Sequence, residues 1–145
     1  MVEINNRKAH FDYEILDTYE TGIVLTGTEI KSVRLGNVNL KDSYGIVRNN
    51  EIFILNMHIS EYKEGNIFNH DEKRTRKLLL HKKEILKIRD RVNLEGITLV
   101  PLKLYFKKNK VKILLGIARG KKTYDKRETI KKRDTEREIR KQLKY

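Results

Sequence analysis

The chain has no cysteine, which excludes disulfides and thiolate metal sites. No apolar stretch approaches the length of a membrane-crossing helix. No internal repeat appears at a solenoid period. The opening residues, Met1 to Asn6, carry no signal-peptide pattern. There is no tryptophan, and Pro101 is the single proline. The four histidines, His10, His58, His70 and His81, show no His-Glu-x-x-His pair or other metal-ligand spacing. No metal, cofactor or small-molecule substrate is therefore expected, nor a membrane role.

What is present is positive charge. Lys and Arg number 33 against 20 Asp and Glu, a net +13 over 145 residues with pI near 9.9. Residues 120–145 hold eleven Lys/Arg against five Asp/Glu, net +6, which leaves +7 on residues 1–119. Basic charge on both parts points to nucleic acid, the ribosome or an acidic surface. The last 26 residues contain few large apolar side chains: Tyr124, Ile130, Ile139, Leu143 and Tyr145. That is too little for a core. Their Lys, Arg, Glu and Gln are good helix formers. The segment reads as a tail that orders on a polyanion, or as a solvated helix that only aids solubility. The chain is thus expected to divide into a body, 1–119, and a basic tail, 120–145, in a cytoplasmic protein.

Within the body, residues 11–16 alternate apolar and polar, and residues 21–27 form a β-branched run bounded by glycines. Both are predicted strands. Residues 28–35 have Ile30 and Val33 at helical spacing, with Gly36 as a stop. Residues 43–48 and 51–57 flank Asn49-Asn50, a tight-hairpin signal. Residues 60–76 read as a long loop. Leu78, Leu79, Leu80, Ile85, Leu86 and Val92 then predict an amphipathic helix over 77–92, with Lys77, Lys82, Lys83 and Lys87 on its polar face. Residues 97–107 and 111–118 are strands joined by a turn at 107–110. Pro101 implies an edge or a bulge. Together these predict a mainly β protein with peripheral helices, a small antiparallel OB-like barrel of about six strands.

Catalytic signals are weak. Two His plus a Lys can support metal-free ribonuclease chemistry, but no spacing brings them together. The stretch from Gly116 to Thr123 lacks the register of a phosphate loop, so an enzyme is not expected. Three basic clusters remain: Arg7-Lys8 with His10; Arg74, Arg76 and Lys77; and Lys121-Lys122, Lys126-Arg127 and Lys131-Lys132-Arg133. Such clusters hold phosphates, and nearby aromatics can stack on unpaired bases. Tyr13 alternates with Phe11 and Ile15 and fits core or ligand equally. Tyr124 has no core to join. Glu29 either accepts hydrogen bonds from a base or ribose, or forms a salt bridge to Lys31 or Arg34.

Six blocks, in order and spacing, resemble the bacterial tmRNA-binding SmpB (SsrA-binding protein) family over nearly the whole chain. They are Asn6-Arg7-Lys8-Ala9 with Tyr13; residues 27–34, Gly-Thr-Glu-Ile-Lys-Ser-Val-Arg; Asp42-Ser43-Tyr44; residues 74–80, Arg-Thr-Arg-Lys-Leu-Leu-Leu; residues 91–96, Arg-Val-Asn-Leu-Glu-Gly; and residues 116–122 running into Asp125-Lys126-Arg127. The resemblance implies an OB-related barrel that binds the tRNA-like domain of tmRNA. It also implies a tail that is disordered when free and becomes helical in the ribosome. Implied partners are tmRNA and the stalled ribosome, at its 16S rRNA decoding centre and empty mRNA channel. Elongation factor Tu and alanyl-tRNA synthetase are implied partners through charged tmRNA. The function implied is an adaptor of trans-translation that rescues stalled ribosomes. A general OB-type ribosomal RNA-binding or RNA-chaperone protein is the alternative.

Carried over as tmRNA contacts are Asn6, Lys8, Tyr13, Glu29, Lys31, Arg34, Arg74, Arg76, Lys77, Asn93, Lys112, Lys121 and Lys122. Carried over for the decoding centre and channel are Tyr124, Asp125, Lys126, Arg127, Lys131, Lys132, Arg133, Ile139 and Leu143. Two departures stand out. Tyr124 replaces the His of several relatives, which removes a chargeable imidazole but keeps a stacking face. Thr135 stands where some relatives have Trp, and Ile139 with Leu143 could supply an apolar contact instead.

Overall fold

A computed structural model describes residues 2–64, 69–94 and 96–121. The tail sites from Lys122 to Leu143 lie outside the described residues. In chain order the elements are β1 (Glu3–Asn5), α1 (Arg7–Asp12), β2 (Tyr13–Ile23), α2 (Gly27–Arg34), β3 (Val38–Asn39), β4 (Tyr44–Arg48), β5 (Glu51–Leu55), β6 (His58–Ile59), β7 (Arg76–Leu79), α3 (Lys82–Val92), β8 (Ile97–Lys107) and β9 (Lys110–Gly120).

Six strands close into an antiparallel ring in the order β8, β4, β5, β7, β2, β9 and back to β8. Closure gives each of these six strands two partners, which removes edges from the ring itself. β8 is long enough to take β4 at Leu99 and β1 at 103–105 on the same side. β3 and β6 form a separate two-stranded ribbon.

The hairpins form where turn residues permit left-handed backbone. Asn49 and Asn50 have φ of 51° and 58°, and Lys108 and Asn109 have 51° and 63°. Two consecutive positive φ values give the turn twist that matches a right-handed hairpin. Gly36, at φ +80°, ends α2: its N–H bonds Val33 O, and Asn37 N–H bonds Ser32 O. That is the pairing glycine makes possible after a helix.

Alternation fills the ring. Ile52 and Ile54 of β5 and Ile113, Leu115 and Ile117 of β9 point inward and are fully buried. Val33 of α2 and Ile88 of α3 join the same core. Each such side chain contributes about 2 kcal/mol by leaving water. Bulges reset the alternation. Between Pro101 and Lys103 the β8 register shifts, so odd Leu99 and even Leu104 both enter the main core. Val100 and Leu102 instead meet Ala9 and Ala118 in a smaller outer cluster under α1. Of the edge or bulge expected at Pro101, the strand shows the bulge. Gly116 lies opposite: a Cβ there would come 2.9 Å from Leu102 Cδ1.

Three expected elements are different. The helix expected over 77–92 begins only at Lys82, and Arg76–Leu79 is strand β7. There Arg76 and Leu78 point in while Leu79 is half exposed, a period of two that the three consecutive leucines concealed. Residues 11 and 12 belong to α1, where Asn6 caps the helix by accepting from Ala9 N–H at 3.3 Å. The strands expected at 11–16 and 21–27 are one strand, β2, with a bulge between Ile15 and Asp17. Gly22 lies within it and Gly27 starts α2.

Candidate nucleic-acid interface

The acid Glu29 is not on the surface. It is fully buried at the third position of α2. Its Oε1 accepts from Thr26 N–H at 2.8 Å and Arg74 Nη2 at 2.6 Å, and its Oε2 from Arg76 Nε at 2.5 Å. Thr26 returns the bond to Glu29 N–H, completing a capping box. Arg76, also fully buried, donates onward to the carbonyls of Met57, Asp71 and Glu72. Burial alone would push the Glu29 carboxyl up. Hydrogen bonds from Arg74, the Thr26 backbone and Arg76 outweigh it and hold the carboxyl below its ordinary value. The salt bridge expected to Lys31 or Arg34 is made instead to arginines some 45 residues away. Glu29 and Arg76 thus position α2 against the barrel and offer no free polar atom to a ligand. Arg74, about one-third exposed, is the member of the trio that reaches the surface.

Beside this anchor lies a groove of about 830 Å³, lined by residues of β2, β7, α2, the start of α3 and β9. Arg34 and Lys112, two of the expected contacts, both line it. Neither has an ion-pair partner among the described residues. Its apolar lining includes Val24 and Leu79, 44% and 50% exposed. At the rim, Glu20 accepts from Tyr105 Oη at 2.5 Å and Lys107 Nζ at 3.2 Å. Burial and that bond push the Tyr105 hydroxyl up to about 12, so Tyr105 stays a donor and Glu20 an anion. Cations beside an apolar floor can hold a phosphate backbone while a base rests on the floor. Val24, Leu79 and Glu20 were not among the expected contacts. Only the folded ring shows that these two apolar side chains face outward.

Asn6, Lys8 and Tyr13 gather elsewhere, in a cleft of about 210 Å³ with Ser43 and Tyr44. Asn6 is buried and donates to Leu40 O and Pro101 O, so it too is a positioning residue. Lys8 pairs with Asp42 at 2.8 Å. Lys121 sits close by: its N–H bonds Asp12 O, and its Nζ bonds His10 O at 3.2 Å. The tail therefore leaves the barrel beside α1. Cleft and groove mark opposite ends of one ladder, since Tyr13 pairs with Gly120 and Gly22 with Lys112. Eight residues of strand separate them, roughly 26 Å.

The other expected residues are dispersed. Lys31 is exposed, its Nζ 5.4 Å from the Tyr62 ring centroid. Lys77 pairs with Glu51 at 3.0 Å, and Asn93 caps the C-terminus of α3. The histidines do not converge. His70 is buried between Thr28 Oγ1 and Ile59 O, His58 stands 3.5 Å from Glu72, and His81 precedes α3 as its N-cap. Gly116 to Gly120 is strand, not a phosphate loop. Among the described residues no helix is long and apolar enough to cross a membrane.

A closed, basic antiparallel barrel with rim helices and separated polar clefts belongs to the OB-like class of nucleic-acid-binding bodies. The particular family follows from comparison: the chain belongs to the SmpB protein family, whose profile matches residues 3–145. It is similar to the SsrA-binding protein of Ligilactobacillus salivarius, 62% identical over 139 residues, covering 96% of this chain and 90% of the relative. It is 59% identical over 138 residues to the SsrA-binding protein of Carboxydothermus hydrogenoformans, covering 95% and 93%. A solved structure described as "tmRNA-SmpB: a journey to the center of the bacterial ribosome" contains a chain of the same fold. Its TM-score is 0.71 at 45% identity, covering 97% of this chain and 99% of that one.

Proposed function

We propose that this protein is an RNA-binding adaptor of trans-translation. Residues 1–119 bind the tRNA-like domain of tmRNA, and residues 120–145 enter the decoding centre and empty mRNA channel of a stalled ribosome. The observation that carries the barrel's part is that Arg34 and Lys112 line one groove together with exposed Val24 and Leu79. The relatives named SsrA-binding protein at about 60% identity support the choice of RNA. The tail's part is supported by its net +6 and sparse apolar residues. Within this reading the groove and Arg74 hold the RNA, while Glu29, Arg76 and Asn6 fix the surfaces that do. Lys8, Tyr13 and Lys121, gathered near the root of the tail, add a second group of tmRNA contacts, and Tyr124 to Arg127 meet the decoding centre. Elongation factor Tu and alanyl-tRNA synthetase join through the charged RNA. The protein acts in the cytoplasm and catalyses nothing itself.

The test is binding to the tRNA-like domain of tmRNA in physiological salt against excess ordinary tRNA. Binding that survives the competitor supports the adaptor. Equal displacement by tRNA assigns the charge to general RNA binding and overturns the reading.

A further inference from the structure

Helix α3 presents Lys82, Lys83 and Lys87 outward, all exposed. None of the three side chains forms an ion pair or hydrogen bond with another described residue. The remaining charges of the helix are committed to holding it in place. Arg91 pairs with Asp17 at 2.8 Å, Arg89 donates to Asn50 at 2.9 Å and to Asp90, and the Glu84 carboxylate accepts from His81 N–H. Lys82 and Lys83 occupy the first turn, where the helix dipole is positive and cations are unfavourable. Local choices that oppose the fold's own stability mark surfaces kept for another use.

The position of α3 indicates that use. Leu80, His81 and Glu84 line the groove, so the first turn of α3 forms one of its walls. Lys83 and Lys87 are four residues apart and share a face, about 6 Å along the axis at 1.5 Å per residue. We propose that the outer face of α3 is a second row of phosphate contacts, along which the RNA strand continues after leaving the groove. This rests on the groove being an RNA site. Lysines contact phosphate as point charges, so the row adds affinity without reading bases. It lengthens the footprint by three cations that neither the motifs nor the groove includes.

The experiment compares the full chain with K82Q/K83Q/K87Q, titrating the tRNA-like domain of tmRNA across a salt series. Each lost phosphate contact lowers the salt slope by about 0.7–0.9, so the triple variant should be shallower by about 2–3. Its affinity should fall about tenfold at low salt, with the difference closing as salt rises. The preference over ordinary tRNA should be unchanged, and arginine at the three positions should restore the slope. The melting temperature should stay level or rise, because first-turn repulsion is relieved. An unchanged slope would overturn the inference and leave the lysines as solvated charge. So would a loss matched by equal loss of binding to anionic vesicles, which would make the face a general anion surface. Arg34→Gln/Lys112→Gln, run alongside, keeps the two readings apart. If that variant weakens binding while the α3 variant does not, only the second row fails. If neither weakens it, the groove reading fails as well.

Discussion

Two sets of charges, with one member of each on the same short helix, have opposite fates in this molecule. Glu29 and Arg76 are fully buried, saturated with hydrogen bonds, and closed off from any partner. Arg34, five positions after Glu29 on the same short helix, opens into the groove with Lys112, and neither forms an ion pair with a described residue. The inner set fixes where α2 lies and the outer set uses that placement. A buried ion pair stabilises little relative to an apolar substitute, yet removing one partner strands the other. An exposed cation has the reverse profile: removing it leaves the fold unaffected and weakens only what it would have bound.

The largest effect expected from this contrast is Glu29→Ala. It leaves Arg76 charged and buried with only carbonyl partners, and unfolding measured by denaturant should show a loss of about 3–5 kcal/mol. RNA affinity should fall by more than the folded fraction falls, because α2, which carries Arg34, and Arg74 both lose their anchor. Full stability combined with lost RNA binding would mean that Glu29 meets RNA directly and that the buried geometry does not describe the protein in solution.

Acid should reproduce part of that loss. The Glu29 carboxyl is held below its ordinary value of 4.5 when folded. Its contribution is therefore fully present above that value and disappears as pH falls through the lower folded one. The loss should be smaller than in Glu29→Ala, since the protonated acid still fills the site and still accepts. Comparing stability at pH 7 with stability below pH 4 in the wild type and in Glu29→Gln checks this: the wild type should show the steeper decline, and equal declines would assign it to other carboxylates.

On the outer set, Arg34→Gln/Lys112→Gln should weaken binding to the tRNA-like domain by about tenfold, or about 1.4 kcal/mol. Its salt slope should drop by about 1.4–1.8 for two contacts. Thermal unfolding should match the wild type closely, since neither side chain is paired. A drop in stability with an unchanged salt slope would move these residues to the inner set.

The division between these sets was only partly legible in the sequence. The β-rich ring, its hairpins and the end of α2 were, because Asn49-Asn50 and Gly36 encode backbone conformations locally. So were the residue types of the charged blocks and their order. Which charges turn inward was not, because Glu29 finds Arg74 and Arg76 across some 45 residues and only ring closure brings them together. The same holds for β7. Its alternation is hidden because Leu79, an outward position, is apolar. A soluble strand would place a polar residue there, and the exception falls in the groove. The sequence misled where the surface departs from the ordinary inside-outside pattern, and that departure is the candidate site. The cleft at α1 was obscured differently: Asn6 looks like a ligand by type but is consumed by Leu40 O and Pro101 O.

The smallest effect tests the link between the two sets. Thr26 is exposed, is not itself part of the groove lining, and caps α2 through Glu29 N–H. Replacing it with alanine removes the hydroxyl from the capping box and should cost about 1 kcal/mol of stability. Its backbone N–H still donates to Glu29 Oε1, so the carboxylate keeps its orientation and both arginine contacts. If α2 is placed mainly by the buried trio, Thr26→Ala should bind the tRNA-like domain with unchanged affinity and salt slope despite its lower melting point. If the cap itself sets the helix, the first turn frays, Arg34 loses its position, and affinity falls by more than the stability loss explains. That second outcome would place the division between inner and outer charges at the N-terminus of α2, not at the buried carboxylate.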